Sequence, residues 1–181
     1  MTVAVLAGGL GSRIAGDKAL AQLGGRPLIS YPLAAAKAAG LDAVVVAKRS
    51  TKLPDLEVPI LLEPDAPIHP LAGVLTALQQ LPVVIALPCD MPFVDPLALA
   101  ALAEMQDELA TLLPNQPFPS LYRAAALPRI EEALEANRSM RSLHAHSHRV
   151  QAMSSSDELA SLTSINTLDD LAAAEERLRT R

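Results

Sequence analysis

The sequence predicts a three-layer α/β fold with a mostly parallel central sheet and helices on both faces. Three observations carry this. Four short runs, Val3–Ala7, Asp42–Ala47, Val58–Leu62 and Val83–Leu87, are β-rich and nearly free of charge, as strands covered on both faces read. These runs alternate with helix-patterned stretches, the order of βαβ units. Half of the residues are apolar, yet only 2% are aromatic and none is Trp. The core must therefore be aliphatic, which suits helices layered on a sheet.

The elements follow in order. After the first run comes a loop that cannot be a helix, with Gly8, Gly9, Gly11 and Gly16 inside nine residues. Pro27 fits the first position of a helix running through SYPLAAAKAA to a stop at Gly40. A polar loop, Lys48 to Asp55, separates the second and third strands. The segment EPDAPIHP is too proline-rich for regular structure and leads to a helix over Leu71–Leu81 that Pro82 ends. The most apolar strand, Val83–Leu87, runs straight into Pro88-Cys89-Asp90-Met91-Pro92.

The second half is less regular. Helices are expected over Pro96–Met105 and Leu127–Ala136, with Asn137–Leu143 extending or following the latter. Strands are expected over Leu109–Leu113, Ser120–Ala124 and His148–Met153. Ser154-Ser155-Ser156 reads as a helix start, and Thr167 caps a final helix over Leu168–Leu178. No repeat or linker divides the chain, so 1–181 reads as a single domain.

Composition narrows the function. A net charge of −5 and a pI near 5.3 argue against a nucleic-acid or anionic-membrane surface, so the partner should be small. The lone Cys89 excludes an intramolecular disulfide and is compatible with a reducing compartment. No charged-then-apolar leader and no apolar run near the length of a membrane span is visible, and the expected location is cytoplasmic.

The glycine loop is the chemical centre. Its glycines permit positive φ and leave amides uncovered, so it can curl around an anion with N–H groups pointing inward. Arg13 offers a planar fork to phosphate oxygens and Lys18 a point charge. Two known loops fail the spacing: Asp17 separates Gly16 from Lys18, against a P-loop, and Ile14 stands where the dinucleotide fingerprint needs glycine. A glycine turn serving only the fold is the plain alternative.

Asp90 is the leading carboxylate. It stands at the carboxyl end of a buried strand between two prolines, where open α/β sheets place their ligands. If that strand neighbours the first, Asp90 faces the cradle, and an Mg²⁺ between carboxylate and phosphates is the economical arrangement. A turn or cap aspartate is the structural alternative. Cys89 reads as a small buried neighbour rather than a nucleophile. His144, His146 and His148 would share one side of a strand and so invite a metal reading, but no nearby carboxylate or thiolate completes a site. Arg138 and Arg141, three apart, would share a helical face, either solvated or binding a phosphate.

The stretch LAGGLGSRIAGDKAL resembles the signature of the molybdenum cofactor guanylyltransferases, within the nucleotidyltransferase superfamily whose members open with LAGG or LAAG and continue through an arginine to a lysine. Three further matches follow in order: PLAGVLTAL (Pro70 to Leu78), LPCDMPFV (Leu87 to Val94) and INTLDDL (Ile165 to Leu171). The resemblance spans nearly the whole chain. It implies a Rossmann-like nucleotidyltransferase fold, with residues 1–95 as the nucleotide-binding half and 96–181 as the acceptor half.

The resemblance also implies roles. Leu6, Ala7, Gly8 and the amides from Gly9 onward contact the nucleotide, Lys18 its phosphates, and Arg13 stands where the family has its arginine. Asp90 lies in the family's CD-x-P segment and is the Mg²⁺ ligand. Asp65 is the candidate acidic nucleotide contact, and Asn166 matches the NT segment near the pterin-side substrate. Gly8, which is alanine in the related cytidylyltransferases, points to GTP.

Departures are visible too. Ile14-Ala15-Gly16-Asp17-Lys18 moves a glycine by one place, an asparagine after the second strand is replaced by Ala47 or Lys48, and His69 opens the family's GPLAG. The expected reaction is Mg²⁺-dependent transfer of GMP from GTP to the phosphate of molybdopterin or Mo-molybdopterin, releasing pyrophosphate. The expected partners are those two substrates, without nucleic acid or membrane, and with transient contact to proteins that deliver or receive the cofactor left open. The alternatives are a related enzyme using CTP or a sugar or alditol phosphate, and a non-catalytic nucleotide-binding protein.

Overall fold

The computed structural model describes residues 1–9, 17–112, 116–143, 148–149 and 161–180, with His148–Arg149 described only as strand. Its strands are β1 (Thr2–Leu6), β2 (Gln22–Leu23), β3 (Arg26–Pro27), β4 (Asp42–Ala47), β5 (Ile60–Leu62), β6 (Val83–Pro88), β7 (Leu109–Thr111), β8 (Ser120–Arg123) and β9 (His148–Arg149). Its helices are α1 (Ser30–Ala38), α2 (Pro70–Leu78), α3 (Pro96–Ala103), α4 (Leu127–Glu135), α5 (Met140–Leu143) and α6 (Leu168–Arg179).

Seven strands form one sheet in the order β5-β4-β1-β6-β8-β7-β9. Only β8 runs against the others, pairing antiparallel with both β6 and β7. The apolar runs alternate strictly between two cores. Val3, Val5, Val45, Ile85 and Leu87 face one layer with Ala36 of α1 and Leu99 of α3. Ala4, Val44, Val46, Val84 and Ala86 face the other, with Val74 of α2 and Ile130 of α4. Both faces of the central strands are thus covered, which is why they read as continuous apolar runs.

The chain turns one way from β1 to reach β4 and returns on the other side to lay down β6, so the strand order reverses at the β1/β6 boundary. The register there pairs Leu6 with Pro88, and the Cys89 N–H donates to the Leu6 carbonyl over 3.0 Å. The glycine loop and Asp90 therefore leave the sheet side by side, at the point where open α/β sheets bind ligands.

Two expectations need correction. Pro27 does not open a helix but pairs with Gln22 in the β2–β3 hairpin, and α1 begins at Ser30. Gly24 and Gly25, at φ 55° and 73°, supply the two left-handed residues that a two-residue hairpin turn requires. Arg138 and Arg141 share no helix, because Asn137 at φ 49° separates α4 from α5. Arg138 instead pairs with Glu132 at 3.0 Å on the surface.

A third, smaller core joins the hairpin to the C-terminal helix. Leu23 and Leu28 pack with Phe93, Ile165 and Ala174, and Leu171 and Leu178 lie against them. The Gly24 N–H donates to Glu175 Oε1 over 2.7 Å. Helix α6 is thereby fixed to the loop that follows Asp90. Among the described residues no helix is long and apolar enough to cross a membrane.

Candidate active site

A cavity of about 300 Å³ opens at the carboxyl ends of β1, β4, β5 and β6. The residue just past each strand reaches its wall: Gly8 and Gly9 beyond β1, Lys48 beyond β4, Glu63 beyond β5, and Cys89 with Asp90 beyond β6. His69, Gly73, Phe118 and Ser164 complete much of the rest.

Asp90 is 8% exposed. Its Oδ2 accepts a 2.7 Å hydrogen bond from Lys18 Nζ, while Oδ1 is buried with no partner among the described residues. A buried carboxylate oxygen without a donor costs free energy in a resting protein, and a cation would satisfy it. Among the described residues no group of three or more His, Cys, Asp and Glu gathers to cage a metal. One carboxylate with a spare oxygen suits a hard divalent cation that takes the remainder of its shell from water and phosphate oxygens.

Lys18 sits on the turn Lys18–Leu20, anchored by the buried Ala19 beside it. Its ammonium also donates to Asn166 Oδ1 over 2.7 Å. Asn166 belongs to the lead-in of α6, which a capping box organises: Asp170 N–H donates to Thr167 Oγ1, and the Asn166 and Thr167 N–H groups donate to Asp170 Oδ2. The N–H of Asn166 is the leading cause holding the Asp170 carboxyl below its usual pKa. The Ile165 N–H bonds the Asp90 carbonyl at 2.9 Å, so the same segment is stapled to the end of β6.

A second pair lines the same cavity. Lys48 Nζ lies 3.4 Å from Glu63 Oε1 and donates to the Pro64 carbonyl over 2.6 Å, with side-chain exposures of 8% for Lys48 and 7% for Glu63. Burial raises the Glu63 pKa, against the lowering pull of Lys48. A Cβ on Gly8 would stand 1.7 Å from Glu63 Oε1, and one on Gly73 would stand 3.0 Å from Oε2. The missing side chain at Gly8 is what gives the carboxylate its position.

Of the residues expected at the site, Leu6, Ala7, Gly8, Gly9, Lys18 and Asp90 line the cavity, and Asn166 reaches it through Lys18. Asp65 is exposed and off the wall; the acid on the wall is Glu63, two positions earlier. Arg13, Gly11, Gly16, His144 and His146 lie outside the described residues, as do the side chain of His148 and the serines 154–156. Lys48, Glu63 and His69 are additions. The signal for Lys48 and Glu63 was present in the sequence, since each directly follows an apolar strand and Asp90 follows another by two residues. His69 caps α2, its Nδ1 accepting from Leu71 N–H at 3.1 Å, and burial lowers its pKa. Burial, and then the charge of Asp90, push the Cys89 thiol up to about 12, which leaves it no nucleophilic role at neutral pH.

Known proteins share this arrangement of sequence and fold. The model of the MobA-like NTP transferase domain matches residues 3–151. The molybdenum cofactor guanylyltransferase of Cupriavidus taiwanensis is 33% identical, with 98% of this chain and 97% of that protein covered. The protein of the same name from Rhodobacter capsulatus is 33% identical, with 97% and 95% covered. Among solved structures, molybdopterin-guanine dinucleotide biosynthesis protein A from Archaeoglobus fulgidus superposes with a TM-score of 0.80 at 26% identity, over the full length of both chains. The 2-C-methyl-D-erythritol 4-phosphate cytidylyltransferase of Thermus thermophilus superposes with a TM-score of 0.70 at 20% identity and shares the fold. With a family model over most of its length and relatives matched nearly end to end, the chain belongs to the MobA-like nucleotidyltransferases.

Proposed function

We propose that this chain transfers GMP from GTP to the terminal phosphate of molybdopterin or its molybdenum-loaded form. A phosphate oxygen of the acceptor forms a bond to the α-phosphorus of GTP, the bond to the β-phosphate breaks, and pyrophosphate leaves with the electron pair. The observation that carries the reading is the meeting of Gly8, Gly9, Lys18 and Asp90 on one cavity wall at the β1/β6 boundary.

Asp90 would hold Mg²⁺ through its unpartnered oxygen, with GTP phosphates completing the shell. When bound, the metal supplies charge neutralisation to the phosphates. Lys18 carries positive charge to the triphosphate, and the uncovered amides of Gly8 and Gly9 add neutral donors. No base from the protein is required, because the acceptor phosphate is already anionic at neutral pH.

The guanine reading rests on Gly8, Glu63 and Lys48. Guanine is the one common base whose Watson–Crick edge carries two adjacent N–H donors beside a carbonyl. A fixed carboxylate can accept both donors while an ammonium approaches the carbonyl oxygen. Glu63 and Lys48 offer that pair, in the place that Gly8 leaves open. Phe118 and Ser164, from the second half of the chain, lie on the same cavity and would face the acceptor.

The test uses the full chain with Mg²⁺. Thermal shifts with GTP, CTP, ATP and UTP should show GTP stabilising most, and stabilisation by CTP alone would overturn the base assignment. Pyrophosphate release should need both GTP and molybdopterin. Tight GTP binding with no release in the presence of acceptor would make the chain a nucleotide-binding protein without turnover.

A further inference from the structure

The Lys18 ammonium lies where a metal at Asp90 would have to approach. It is 2.7 Å from Asp90 Oδ2 and 2.7 Å from Asn166 Oδ1, which makes Asn166 its second anchor. That anchor is fixed on its own side. The Asn166 N–H is bound to Asp170 Oδ2 at 2.8 Å, its Nδ2 faces the Ser164 carbonyl at 3.4 Å, and the preceding Ile165 is bonded to the backbone of Asp90 itself. The amide oxygen is therefore presented to Lys18 by a rigid segment rather than by a free side chain.

Two cations cannot both sit at hydrogen-bonding or coordination distance from one carboxylate without strong repulsion. A metal arriving alone meets the ammonium. A triphosphate changes the balance, because its oxygens are anionic acceptors that outbid both a neutral amide and a shared carboxylate for the lysine. The lysine then moves to the phosphates and both oxygens of Asp90 become available.

We propose that Asn166 is a positioning residue that parks Lys18 on Asp90, so that the empty site excludes free divalent cations and admits metal only together with a triphosphate. This rests on the proposed metal role of Asp90. The arrangement gives the C-terminal helix a part in metal entry, through a side chain that need not touch the nucleotide.

The experiment is a titration of the full-length, nucleotide-free protein with Mn²⁺ as a paramagnetic stand-in, read by electron paramagnetic resonance. Lys18→Met should bind Mn²⁺ at least about tenfold more tightly than the natural chain. Asn166→Ala should also tighten binding, by less, because the lysine loses one of its two anchors. Lys18→Arg keeps the cation and should bind Mn²⁺ as weakly as the natural chain. A merely structural role for either residue would weaken metal binding on substitution or leave it alone, so the direction of the change is diagnostic. Melting curves identify any variant that fails to fold, and the Lys18→Met and Lys18→Arg pair then decides between charge and packing.

If Asp90→Ala in the Lys18→Met background removes Mn²⁺ binding while Lys18→Met alone binds no more tightly than the natural chain, the parking is refuted and the metal role of Asp90 stands. If that same Asp90→Ala change leaves Mn²⁺ affinity untouched, the metal assignment itself is wrong and the parking falls with it.

Discussion

Two lysine–carboxylate pairs line one cavity, and they are built differently. Lys18 and Asp90 come from distant parts of the chain, lie 2.7 Å apart with side-chain exposures of 18% and 11%, and leave one carboxylate oxygen without a partner among the described residues. Lys48 and Glu63 end two neighbouring strands, lie 3.4 Å apart at 8% and 7%, and are tied further by the Pro64 carbonyl. The first pair has an unmet demand and a movable member. The second sits against Gly8 and Gly73, where an added Cβ would meet the carboxylate. In the proposed reaction the first pair would serve the phosphates and the second the base.

The largest expected effect sharpens that contrast on the catalytic side. Asp90→Ala should lower pyrophosphate release by about 10²–10³-fold or more, with GTP still bound in equilibrium dialysis. The melting temperature should fall only modestly, since losing the Lys18 ion pair is partly offset by removing a buried oxygen without a donor. Full activity in this variant would end the proposed role.

Next is stability. Lys48→Met leaves Glu63 buried without its counter-charge and should cost about 3–5 kcal/mol in urea unfolding. Lys18→Met should cost less, because Lys18 is the more exposed lysine, at 18% of its side chain against 8% for Lys48. Equal losses would erase the distinction between a fixed and a movable pair.

Base choice should respond to a single methyl. Gly8→Ala must push Glu63 aside, and the preference for GTP over CTP should fall by about tenfold, the worth of one charge-assisted hydrogen bond. Gly73→Ala makes contacts of 3.0 and 3.1 Å that neighbours relieve by tenths of an ångström, so its preference should stay within about twofold. Selectivity unchanged in Gly8→Ala would remove Glu63 from base reading.

The smallest effects are in pH. Burial raises the Glu63 pKa, so the folded protein keeps a proton that the unfolded chain has released. Stability contributed there is lost as pH rises from the usual glutamate value through the raised one, and Glu63→Gln should flatten that slope. His69 works the other way. Its pKa is lowered from 6.5, so its cap on α2 is intact above that value and is lost as pH falls through the lowered one. A difference of about 1 kcal/mol, absent in His69→Asn, is the expected reading in pH-dependent unfolding.

Much of this was legible in the sequence. The strands of the first half were readable because burial on both faces leaves unbroken apolar runs, and Asp90 was readable because it ends one of them. Glu63 follows another, but the resemblance points to Asp65 in the same loop, and the packing against Gly8 with the exposure of Asp65 distinguishes the two. The β2–β3 hairpin was hidden because Pro27 fits a helix start as well as a short strand, and the Gly24-Gly25 turn decides between them. Asn166 was legible as a site residue, yet its bond to Lys18 depends on where α6 docks, which no local pattern encodes.

That docking has a consequence for synthesis. Lys18 and Asn166 are 148 residues apart, and the segment that braces both Lys18 and Asp90 leaves the ribosome after all the strands that build the cavity. A nascent chain that has already laid down its central strands still lacks the brace, and a product cut short before Asn166 would carry the glycine loop and the aspartate with the lysine held by Asp90 alone. Translation must pass Asn166 before Lys18 can gain its second anchor.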